Sequence, residues 1–84
     1  MFSFINEKSG ESISMDAPEM AQRYRAWQER KDMYGYFLNR ALYWWLADEG
    51  LTIETKGMND TESLTLHKTI TAALDSALWP RTKP

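Results

Sequence analysis

Polar and apolar residues alternate in two short stretches near the start of the chain, Phe2-Ser3-Phe4-Ile5-Asn6 and Glu11-Ser12-Ile13-Ser14-Met15. A period of two predicts a pair of strands, and the intervening Glu7-Lys8-Ser9-Gly10 is a polar loop ending in glycine. The expected element is a β-hairpin over residues 2–15 with a four-residue connection. Alternation puts Phe2, Phe4, Ile13 and Met15 on one face and serines on the other. A two-stranded hairpin is marginal in water, so the apolar face must lie on something else.

The pattern then changes to a helical one. Asp16 and Glu19 have capping-box spacing, Met15 and Met20 flank them at staple positions, and Pro18 falls in a first turn that needs no N–H from it. From residue 17 to about residue 49 one stripe reads Met20, Tyr24, Trp27, Lys31, Tyr34, Leu38, Ala41 and Trp45, with Gly50 placed to cap the end. Arg23, Arg25, Gln28, Glu29, Arg30 and Asp32 make a solvated opposite face, whereas residues 33–46 are apolar nearly all round. Thirty-three helical residues extend about 50 Å. A compact chain of this length is only about 30 Å across. Either the helix breaks near Gly35, where glycine costs about 1 kcal/mol relative to alanine, or a straight helix overhangs and a second chain covers it. The break is the favoured expectation.

Residues 51–55 alternate again and can add a third short strand. A turn at residues 56–59 leads into a last helix over residues 60–79, with Asn59 and Glu62 at capping spacing and Pro80 as the stop. Its stripe is Leu66, Ile70, Ala73, Leu74 and Ala77, with Leu78 and Trp79 beside it, and residues 80–84 are expected to form a loose tail. The predicted fold is one small α+β domain dominated by helix: an N-terminal hairpin, a possible third strand, a kinked or broken central helix and a C-terminal helix, with the helices on one face of the sheet.

Composition adds two constraints. Eleven of the 84 residues are aromatic, most of them from Tyr24 through Trp45. A chain this short hides only about 60% of its unfolded surface, so a surplus of large rings points to self-association or to a partner. The net charge of −2 is spread thinly, with residues 18–45 only mildly basic, too weak a footprint for a dedicated DNA binder. The absence of cysteine excludes disulfide scaffolds and cysteine-rich zinc modules and fits a cytoplasmic protein. No apolar run is long enough to span a membrane, and no secretory leader is expected.

Catalytic chemistry finds little to work with. His67 is the sole histidine and has no evident metal-binding company. Ser63 lies one helical turn before it, but no oxyanion donors are implied, and the four glycines are scattered singly rather than gathered in a phosphate-cradling loop. No catalytic, cofactor-binding or metal-binding residues are expected, and the chain is not expected to be an enzyme. What remains is a binding surface. Arg23, Trp27, Arg30, Lys31 and Tyr34 follow adjoining stripes at three- and four-residue steps and are of types that dominate protein interfaces. The competing interpretation puts Trp27 and Tyr34 in the core, with the basic residues merely solvating the other side. The leading expectation is a small accessory protein that regulates or inhibits a larger macromolecule by occupying its surface, of the kind encoded by phages and other mobile elements. The alternative is a homodimer or larger assembly built on the aromatic central helix. A weaker third is single-stranded nucleic-acid binding, which the net negative charge disfavours.

Overall fold

A computed structural model describes residues 1–79. The chain runs β1 (Phe2–Asn6), β2 (Ser12–Met15), α1 (Ala17–Lys31), α2 (Leu38–Glu49), β3 (Leu51–Ile53) and α3 (Asp60–Leu78). The class is α+β and helix-dominated, with the antiparallel sheet ordered β2-β1-β3. The loose tail expected at residues 80–84 lies outside the described residues, as does Pro80, the expected stop of the last helix.

The alternation read from the first fifteen residues sets the sheet. Phe2 pairs with Met15 and Phe4 with Ile13, while on the other side Phe4 pairs with Ile53 and Asn6 with Leu51. Phe4, Met15 and Leu51 are buried and Phe2, Ile13 and Ile53 partly so, while Ser3, Ser12, Ser14 and Thr52 face outward. One face of the sheet thus meets the helices and the other meets water. The third strand stops at Ile53, two residues short of the expected end.

Both expected helix starts are present, but their chemistry differs. Asn59 and Glu62 complete a reciprocal capping box. Asp16 accepts from the Glu19 amide at 2.9 Å, yet the Glu19 carboxylate turns to Arg23 at 3.0 Å instead of reaching back. That start is half a box. Met15 and Met20 are both fully buried beside it.

The central helical segment is broken, and the break begins earlier than Gly35. Helix α1 ends when Asp32 enters the left-handed region (φ 53°), and the amides of Asp32 and Met33 both bond Gln28 O. Gly35 (φ 83°) then reverses the chain, and α2 starts after Phe37. Gly50 (φ 70°) closes α2 with its amide on Ala47 O and Leu46 O. Breaking one long helix lets Tyr24 and Trp45 meet edge-to-face, ring centroids 5.8 Å apart. Helix α3 packs along α1 and also touches α2. The core joins Phe4, Met20, Tyr24, Trp27, Trp45, Ile70 and Leu74, each 1% exposed or less. The chain fills extents of 42 × 28 × 20 Å.

Candidate interaction surface

The segment between α1 and α2 departs from the usual local rules. Phe37 occupies the N-cap of α2 with extended backbone, a position that favours Ser, Thr, Asp or Asn, and no side chain caps that helix end. Nor does Phe37 pack inward: it is 85% exposed. Tyr34 and Tyr36 beside it are 56% and 54% exposed, so residues 32–37 form an aromatic knuckle. Leaving more than half of each of these residues in water is unfavourable to the free chain, and such local departures concentrate at functional sites.

Helix α2 extends the surface. Its inner face is Ala41, Leu42, Trp45 and Leu46, all buried. Its outer face carries Asn39, Arg40, Tyr43, Trp44, Ala47 and Asp48, all exposed. Trp44 is 40% exposed and stacks edge-to-face on Tyr36 at 5.1 Å, which ties the helix to the knuckle. Tyr34, Tyr36, Phe37, Tyr43 and Trp44 are each between 40% and 85% exposed.

The five residues expected to bind a partner do not form one site. Trp27 is 1% exposed, and its indole Nε1 donates a 2.6 Å hydrogen bond to Asp48 Oδ2, so it belongs to the core and offers nothing to a partner. Its stripe faces inward because Met20, Tyr24 and Trp27 precede the break and pack with α2 and α3. Arg23 is exposed but engaged with Glu19 one turn earlier. Arg30 holds Glu49 at 3.5 Å and Lys31 is exposed. Only these last two adjoin the knuckle in sequence, and Tyr34 belongs to it. The sequence reading overlooked Phe37, Tyr36, Tyr43 and Trp44 as surface residues. The available signal was Phe37 standing where a polar cap belongs. Trp79, placed beside the α3 stripe by the sequence, is instead 75% exposed and lines a recess with Tyr34 and Tyr36.

A second feature lies where α2, β3 and the start of α3 meet. A cavity of about 660 Å³ opens there, lined by Tyr43, Leu46, Leu51, Ile53, Leu64 and His67, with Ser63 and Glu7 also on its wall. His67 is 8% exposed, its ring 4.4 Å from that of Tyr43, and its Nδ1 has no hydrogen-bond partner. Although Ser63 and His67 share this wall, no hydrogen bond joins them among the described residues. The imidazole is a buried side chain packed on a tyrosine ring, without an oriented acid or nucleophile.

No family model, curated protein or solved structure matches the chain. Among the described residues no three His, Asp or Glu side chains converge as metal ligands, and no helix is long and apolar enough to cross a membrane. The class the coordinates define is therefore a small α+β fold with an exposed aromatic knuckle continuing onto the outer face of a helix.

Proposed function

We propose that this chain is a non-enzymatic accessory protein of the cytoplasm that regulates or inhibits a larger protein by docking the aromatic knuckle at residues 32–37 onto it. The observation that carries this reading is Phe37, 85% exposed at a helix start it does not cap. Three rings lie together on the short connection between α1 and α2, and Tyr36 is held edge-to-face on Trp44, which lowers the entropy lost when a partner covers it. Tyrosine and phenylalanine supply large contact areas, and the exposed Lys31 just before the knuckle adds positive charge suited to an acidic group on the partner, while Arg30 is engaged with Glu49.

The test is site-specific photocrosslinking from position 37 in the cells that make the protein. The expected result is one recurrent protein adduct larger than the chain itself. Phe37→Glu should remove the matching complex from native purification while circular dichroism stays unchanged. No recurrent adduct, or a complex indifferent to Phe37→Glu, overturns the reading.

A further inference from the structure

The outer face of α2 has a charge pattern that its own copy would complement. Arg40, Trp44 and Asp48 succeed one another at four-residue steps, forming a single exposed ridge with the indole in the middle. Beside it runs a second ridge, Asn39, Tyr43 and Ala47. Ala47 leaves a shallow place in that ridge, next to the bulk of Trp44. Among the described residues Arg40 makes no ion pair, and Asp48 engages only the Trp27 indole through Oδ2.

We propose that α2 pairs with α2 of a second copy of this chain, antiparallel about a two-fold axis near Trp44. Helices pack by setting four-step ridges into the grooves of a neighbour, and this helix offers both a ridge and a groove. In the antiparallel arrangement each Arg40 lies beside the other copy's Asp48, twice over by symmetry, and the two indoles meet at the centre. A parallel arrangement sets Arg40 against Arg40 and Asp48 against Asp48, which is repulsive. The charge order therefore selects both the partner and its direction. One helix face is a small interface, so the pairing is weak and depends on protein concentration. With the axis near Trp44, Phe37 precedes the first residue of α2 and falls at the edge of this contact. The dimer presents two knuckles, and a partner with two matching sites gains by effective concentration.

The proposal goes beyond the docking reading and is tested separately, on the full chain, by sedimentation equilibrium over roughly 1 µM to 1 mM protein. The wild type should pass from 9.8 kDa to twice that mass, no further, and less readily at high salt. Arg40→Asp should weaken dimerisation at least about tenfold by facing two carboxylates. Adding Asp48→Asn, which keeps an acceptor for Trp27, should restore part of that loss. Phe37→Ser, which removes the ring without placing a charge one turn from Arg40, should lose partner capture and leave the dimer intact, so the two losses are told apart. A wild type that stays monomeric throughout overturns the proposal. So does a dimer insensitive to Arg40→Asp, or a double variant no better than the single one. Unchanged circular dichroism confirms that each variant is folded.

Discussion

Trp27 of α1 and Asp48 of α2 are joined by a 2.6 Å hydrogen bond from the indole Nε1 to Oδ2, across the break that separates the two helices. The indole is 1% exposed while the aspartate reaches solvent, so the bond satisfies a buried donor from the protein's edge. Asp48→Ala leaves that donor without a partner and should destabilise the chain by about 1–3 kcal/mol. Asp48→Asn retains an acceptor and should cost less than half as much. Urea titrations of the two variants give the comparison, and an Asp48→Ala variant as stable as the wild type would mean that the bond contributes nothing.

The two capped helix starts should respond differently to mutation. Asn59→Ala removes the side-chain oxygen that accepts from the Glu62 amide, while its backbone N–H can still donate to the Glu62 carboxylate, and should cost about 1 kcal/mol. Glu62→Ala removes the other half and should cost less. Glu19→Ala deletes only an exposed pair with Arg23 and should change stability by under about 0.5 kcal/mol. Thermal melts rank the three, and a Glu19 effect as large as that of Asn59 would contradict the half-box geometry.

Asp32 holds a left-handed backbone with φ of 53°, where side chains with a Cβ are strained. Asp32→Gly relieves that strain at the cost of a freer unfolded chain, and should leave stability unchanged or raise it by up to about 1 kcal/mol. Asp32→Val, branched at Cβ, should lower it by about 1–2 kcal/mol. Denaturant midpoints distinguish the two, and a valine variant as stable as the glycine one would show that the helix end is not where the backbone is constrained.

Tyr24 supplies a pH signature. Burial pushes its phenol above the ordinary 10.0, and a hydrogen bond with Gln28 only partly offsets this. The folded chain therefore holds that proton more tightly than the unfolded one. Its contribution is complete below pH 10.0 and disappears as the pH rises through the raised folded value. Tyr24→Phe should flatten the fall in stability above pH 10.0, measured as denaturant midpoints against pH, while the wild type declines more steeply. Parallel profiles would place the phenol in an environment no different from water.

The elements of this fold are written locally. Period-two alternation marks β1 and β2, Asp16 and Asn59 mark two helix starts, and Gly50 marks an end, because each depends on residues within a few positions of one another. Which aromatic rings face inward is not local information. Residues 33–46 are apolar on nearly every side, so periodicity has no phase to report, and the stripe drawn straight through Trp27, Lys31 and Tyr34 assumed a helix that continues. The break at Asp32 resets that phase. Trp27 goes to the core because α2 folds back and brings Asp48 and Trp45 to it. Tyr34, Phe37 and Trp44 stay outside because three helices and three short strands have no further layer to cover them. The residue types and the helix ends follow from neighbours in the chain; the division of rings between core and surface follows only from how the helices pack.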